Sequence, residues 1–230
     1  MRALAIAATL AAAGCAGTTG VVSVGLVTAP GSHLLDAVTH LRLTLTQPRR
    51  VIEADRGADG FALALELDAA DASGALIVEG FDAGGALIAC GQSPRIPLGA
   101  INAHVAIYVA APRSLAAAPV ALPGPRSELA ASALGYGAVL AGGRDGGGGR
   151  TSTIAVYNAY DHSLADGLAL PAPRAGLAIA TGANGGVYLF GGAGADGQPT
   201  GTLWRFDTTI APSGAYTILA DRPALARAGQ

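Results

Sequence analysis

Two segments of this chain, about fifty residues apart, carry the same marks in the same order. The first reads Ala138-Val139-Leu140-Ala141-Gly142-Gly143, then Tyr157, then Pro171-Ala172-Pro173-Arg174-Ala175-Gly176. The second reads Val187-Tyr188-Leu189-Phe190-Gly191-Gly192, then Phe206, then Pro223 and Arg227-Ala228-Gly229. Paired glycines alone carry little weight. With 34 glycines in 230 residues, about five adjacent pairs arise by chance, because glycine runs well above its usual share of about 7%. The coincidence of several marks carries more. Gly143 to Tyr157 and Gly192 to Phe206 are both spaced by fourteen, and each glycine pair closes an apolar run. Each aromatic ends a strand-like stretch, Ile154-Ala155-Val156-Tyr157 or Leu203-Trp204-Arg205-Phe206. A repeat of this length is one small sheet that leaves its own face unburied and must stack on a neighbour.

The register follows the arginines. Pro123-Gly124-Pro125-Arg126 looks like an earlier closing element, and Arg126, Arg174 and Arg227 are separated by 48 and 53 residues. The units therefore run from one arginine to the next. This pattern resembles the kelch motif, whose repeats each form one four-stranded blade of a β-propeller. The resemblance covers residues 127–230 as two blades and the start of a third. It implies that the glycine pair ends the second strand and that the aromatic lies in the third. A tryptophan before Pro171 is missing, and Tyr216 is the best substitute before Pro223.

On that resemblance Gly142, Gly143, Gly191 and Gly192 allow close backbone approach or positive φ where blades converge. Tyr157, Trp204 and Phe206 bury area against a neighbouring blade, and Arg174 and Arg227 bond carbonyls of an adjacent strand or loop. These are structural assignments. Propellers close with four to eight blades, and two leave an open edge, so the chain is expected to be a piece of a longer protein.

Upstream, the signal is strand after strand with period-two alternation. Val22 to Leu26, Leu41 to Thr46, Phe61 to Leu67, Ala75 to Phe81, Ala86 to Cys90 and Val105 to Val109 are the expected strands. Asp82-Ala83-Gly84-Gly85 is a good tight turn between two of them. Short strands at roughly ten-residue spacing predict a β-sandwich-like domain over residues 21–111. Residues 112–126, rich in Ala and Pro, read as a stiff linker. The predicted class is all-β, a sandwich-like domain followed by an incomplete propeller.

The N-terminus reads as a targeting segment. Met1-Arg2 is a short positive region, and Ala3 to Ala13 is apolar but too short to span a bilayer. The run ends in Leu10-Ala11-Ala12-Ala13-Gly14-Cys15, which resembles a bacterial lipobox. The resemblance implies a signal peptide over residues 1–14, a diacylglyceryl group on Cys15, and a tether over residues 15–20. Ala16 after the cysteine implies the outer membrane of a Gram-negative envelope. Acyl chains on one residue anchor stably, because each buried CH₂ contributes about 0.8 kcal/mol. With Cys15 acylated, Cys90 has no partner for a disulfide and reads as a buried, inert thiol in a strand.

Composition narrows the function classes. A formal charge of −2 argues against nucleic acid or an anionic membrane surface as partner. All fourteen basic residues are arginine, a mark of GC-rich coding rather than of function. Gly192-Ala193-Gly194-Ala195-Asp196-Gly197 matches the letters of a dinucleotide fingerprint, but Gln198-Pro199-Thr200-Gly201 and then a strand follow it, where a helix is needed. His33, His40, His104 and His162 show no metal-ligand spacing. Cys90 with His104 as nucleophile and base is better explained by alternating strands, and Asp161-His162 by an exposed turn. Some kelch propellers resemble copper oxidases of the galactose-oxidase type, which need two histidines, two tyrosines and a cysteine. The repeat region holds only His162 and no cysteine.

The sequence thus predicts a lipid-anchored envelope module that contacts protein or glycan, with no cofactor and no metal. The alternative is a part of a propeller enzyme, oxidase or sugar-acid isomerase, whose catalytic residues lie outside this chain.

Overall fold

Alternation with period two puts Leu41, Leu43 and Leu45 on one face of an extended run, and these side chains are enclosed while His40, Arg42, Thr44 and Thr46 between them are only half-buried. The computed structural model describes residues 4–5, 22–58, 60–61, 73–97, 103–210, 213–221 and 226. The chain divides into two units, one of Met1–Pro119 with Ala159–His162 and one of Val120–Asn158 with Ser163–Gln230. Cys15, Pro223 and Arg227, and most of the Phe61 to Leu67 strand, lie outside the described residues.

The first unit is built on one curled, mixed sheet. Its strands are β1 (Leu4–Ala5), β2 (Val22–Val27), β3 (His40–Thr46), β4 (Arg49–Gly57), β5 (Gly60–Phe61), β7 (Leu76–Phe81), β8 (Leu87–Gln92) and β10 (Ala103–Ala110). Their order is β1-β2-β10-β8-β7-β3-β4-β5, while β6 (Ser73–Gly74) and β9 (Ile96–Pro97) form a separate pair. β2 and β10 run parallel; the remaining neighbours are antiparallel. Leu41, Leu43 and Leu45 pack with Leu76, Val78, Val105, Ile107 and Val109 in one core. Each such side chain contributes roughly 1.5–3 kcal/mol by leaving water. The turn after β7 is held by the Asp82 carboxylate, whose Oδ1 accepts from the Gly84 and Ala86 amides at 2.9 Å.

The second unit holds two four-stranded antiparallel meanders. The first, blade 1, is β11 (Ala130–Leu134), β12 (Gly137–Ala141), β13 (Ile154–Asn158) and β14 (Ser163–Asp166), paired in that order. The second, blade 2, is β15 (Ala178–Thr181), β16 (Val187–Phe190), β17 (Thr202–Asp207) and β18 (Ala215–Asp221), again in chain order. The molecule is therefore all-β, a sandwich-like unit followed by two blade-like sheets of an incomplete propeller. Tyr157 lies opposite Ala138 and Phe206 opposite Val187, so the fourteen-residue offset reflects one register used twice.

The two blades share a core. Blade 1 contributes Val139, Ala141 and Ile154 from one face, and blade 2 contributes Val187, Leu189, Trp204 and Phe206. The Ser132 hydroxyl on β11 hydrogen-bonds the Thr181 hydroxyl on β15 at 2.7 Å.

Candidate functional site: the loops at the glycine ends of the blades

Each glycine pair opens a loop, and the two loops are built alike. The Gly142 amide donates to the Thr153 carbonyl at 2.9 Å, and the Gly191 amide to the Thr202 carbonyl at 3.1 Å. Next, Thr151 donates to Gly143 and Thr200 to Gly192, both at 2.9 Å. Isolated bridges join Arg144 to Ser127 and Arg150, and Ala193 to Ala175 and Pro199. Within each loop an aspartate shapes the tip. Asp145 Oδ1 accepts from the Gly147 and Gly149 amides, and Asp196 Oδ1 accepts from the Gln198 amide at 3.0 Å. The dinucleotide-like stretch at Gly192 is thus an aspartate-stabilised turn leading into β17.

All four glycines of the pairs have positive φ, from 61° at Gly142 to 98° at Gly143. A Cβ on Gly143 would stand 2.6 Å from the Ser127 carbonyl oxygen, and one on Gly192 would stand 2.9 Å from that of Ala175. A Cβ on Gly142 would strike the Arg174 carbonyl oxygen, the same residue that accepts from the Gly143 amide at 2.8 Å. Gly143 and Gly192 therefore face the residue just after the arginine that precedes their own blade, and Gly142 faces the arginine that follows blade 1.

Arg174 is 7% exposed and lies over Trp204, its guanidinium carbon 4.8 Å from the ring centre. Nη1 donates to the adjacent Pro173 carbonyl, and Nη2 makes a long contact with Thr202 Oγ1 at 3.4 Å. Nε has no hydrogen-bond acceptor among the described residues. Burial pulls this guanidinium below its usual pKa, against the opposing charges of Asp196 and Asp221. The arginine that bonds a carbonyl of the adjoining sheet is Arg126, whose Nη1 donates to Gly142 at 3.1 Å. Phe206 and Trp204 are buried; Tyr157 is half-buried. Tyr216 stacks on Phe206 at 4.8 Å, meets Trp204 edge-on, and donates to the Leu168 carbonyl at 2.9 Å. Burial pushes its hydroxyl up.

The loops present mixed charge. Arg144 Nε pairs with Glu128 at 2.7 Å, while Asp145 and Asp196 are exposed at the loop tips. A second polar surface lies on the first unit. Register places His40, Arg42, Glu53, Asp55, Glu79 and Phe81 on one face of β3, β4 and β7. Arg42 bonds Glu53 at 2.6 Å and Glu79 at 3.4 Å and lies over Phe81, and His40 bonds Asp55 at 2.8 Å. The hydrogen bond from Arg42 holds the Glu53 carboxyl below the usual range. Alternation in β3 marked its polar positions; their partners on β4 were missed because that strand is so polar.

Cys90 and His104 are not brought together. Cys90 is opposite Ala110, six positions along β10 from His104, so about 20 Å of strand separates the two. His104 Nδ1 instead meets the Ser23 hydroxyl at 2.8 Å. Cys90 is half-buried rather than enclosed. His162 also departs from the expected exposed turn: it is half-buried and its Nε2 bonds the Ala106 carbonyl at 3.1 Å. Among the described residues no group of three or more His, Cys, Asp or Glu is arranged to hold a metal ion.

Fold and loops define an all-β protein with a partly propeller-like second unit. Compared with known proteins, the chain matches no family model and no curated protein.

Proposed function

We propose that this chain is a lipid-anchored protein of the cell envelope, carried on Cys15 in the outer membrane of a Gram-negative bacterium, whose kelch-type blades form a protein- or glycan-binding module. The observation that carries the binding half is the pair of matching loops. The same backbone bonds recur 49 residues apart, from Gly142–Thr153 to Gly191–Thr202, and hold varied polar tips on a fixed scaffold. Binding residues concentrate on such loops, because the scaffold bears the fold and leaves the tips free to vary. The mixed-charge tips, with Glu128, Arg144, Asp145 and Asp196, suit hydroxyl-rich or polar peptide surfaces rather than a polyanion. The anchoring half rests on Leu10 to Cys15.

Two measurements test the two halves. Metabolic labelling with a fatty acid marks the wild-type chain and not Cys15→Ala; equal labelling of both refutes the anchor. Immobilised peptidoglycan and envelope glycans retain the purified chain, and Arg144→Ala with Asp196→Ala weakens retention at least tenfold. Undiminished retention by that double variant removes the loops from the binding surface.

A further inference from the structure

Asn184-Gly185, the single Asn-Gly step of the sequence, lies at the tip of the hairpin between β15 and β16. The Gly185 amide donates to the Gly182 carbonyl, and the Gly182 amide to the Gly186 carbonyl, both at 2.9 Å. Gly185 has a φ of 75°, so the turn is closed by a left-handed residue. Ala183, Asn184 and Gly185 are exposed, and a Cβ on Gly185 would meet nothing within 4 Å, so solvent reaches this step of the chain. The Asn184 side chain folds back over its own following peptide, because its Oδ1 accepts from the Gly186 amide at 3.1 Å. A second group bears on the same oxygen. A Cβ on Gly186 would lie 2.7 Å from Arg205 Nε and 3.3 Å from Asn184 Oδ1, so guanidinium and carboxamide share one small space above the turn. Arg205 Nε is buried with no hydrogen-bond acceptor among the described residues, while Nη2 pairs with Asp207 at 3.2 Å. A buried cationic donor without an acceptor favours negative charge beside it.

We propose that Asn184 is a site of spontaneous deamidation, at which the folded chain converts its own carboxamide to a carboxylate with the help of Arg205. The Gly185 N–H leaves the Gly182 carbonyl as the turn opens and gives its proton to hydroxide. Its nitrogen attacks Cγ of Asn184, the Cγ–Nδ2 bond breaks, and ammonia departs as a succinimide ring closes. Water then opens the ring at either carbonyl, leaving aspartate or isoaspartate at position 184. Nothing is oxidised or reduced. Glycine after asparagine favours the attack, because no side chain blocks the approach to Cγ. Negative charge develops on Oδ1 during the step, where the Gly186 amide and the Arg205 cation already stand. Donors and charges placed in advance around a developing oxyanion lower its barrier. Asn102 and Asn158 are each followed by alanine, and Asn158 is held in β13 between β12 and β14. The inference depends on neither the lipid anchor nor a ligand.

The test holds the purified full chain carrying Cys15→Ala at mildly alkaline pH and follows every asparagine by peptide mass mapping. Labelling by isoaspartyl methyltransferase measures the isoaspartate formed. Asn184 converts while Asn102 and Asn158 stay intact, and Gly185→Ala slows the conversion at least about tenfold, or about 1.4 kcal/mol in barrier. Arg205→Gln slows it at least about threefold in the folded chain, with unchanged Trp204 emission as the check on folding, and leaves the rate in guanidinium unaltered. Arg205→Lys, which keeps the charge, restores most of the rate. An Asn184 that stays intact in the folded chain overturns the proposal, as does conversion seen only after unfolding. Equal folded-state rates for Arg205→Gln and the wild type overturn it as well, because any exposed Asn-Gly turn would then behave alike. Should Arg205→Gln lose the Trp204 signal, Asp207→Asn takes its place: removing the counter-charge of Arg205 quickens conversion, and an unchanged rate refutes the part given to Arg205.

Discussion

Gly143 and Gly185 both have positive φ, 98° and 75°, yet they differ in what surrounds them. A Cβ on Gly185 meets nothing within 4 Å, whereas one on Gly143 collides with the Ser127 carbonyl oxygen at 2.6 Å. Gly185→Ala therefore costs only the left-handed backbone penalty, about 1–2 kcal/mol. Gly143→Ala adds a backbone clash, and overpacking of this kind costs about 1–3 kcal/mol more. Guanidinium unfolding followed through Trp204, the single tryptophan of the chain, compares the two; equal losses refute the close-approach reading. At His162, burial lowers the folded-state pKa from 6.5, against smaller contributions from Ala106 and Asp161. A base with a depressed folded pKa takes up its proton first in the unfolded chain. Its neutral form therefore costs no stability above about pH 6.5, and stability falls as the pH drops from there through the folded value. Thermal melts at successive pH values on either side of 6.5 should show this loss, and His162→Gln should flatten it. An unchanged acid slope in the variant assigns the loss to other groups.

At the level of elements, legibility tracked burial. β3 and β7 alternate enclosed and half-buried positions, and alternation is what a reader of sequence sees. β4 has no fully buried residue, and five of its nine residues are charged. What holds it is pairing across to β3, with Arg42 to Glu53 and His40 to Asp55, a property of two strands together. The same logic applies at β18. It pairs only with β17 among the described residues, and Ile218 on it is 68% exposed. An apolar, open strand edge recruits other strands, and a lysine there opposes such pairing. Ile218→Lys is expected to slow aggregation, followed as turbidity on heating, without shifting Trp204 emission. Faster or equal aggregation places the vulnerable segment elsewhere.

For the whole molecule, the repeat in the sequence determined the most. Spacings of fourteen residues between glycine and aromatic, and of 48 between Arg126 and Arg174, sufficed to expect two like sheets in tandem, and two meanders with one register are present. Local periods survive translation into structure because each strand's pleat and each turn's φ are settled within a few residues. The tertiary structure decided which distant segments meet. β10 lies parallel to β2, joining Ser23 to His104 across 81 positions. Arg174 found Trp204 as its neighbour rather than a strand carbonyl, and unlike faces of the two blades closed on each other. Such choices depend on loop closure and on mutual burial of surfaces far apart in the chain. No period or motif encodes them: the alternation that marks a face as apolar leaves its partner to whichever surface removes the most of it from water.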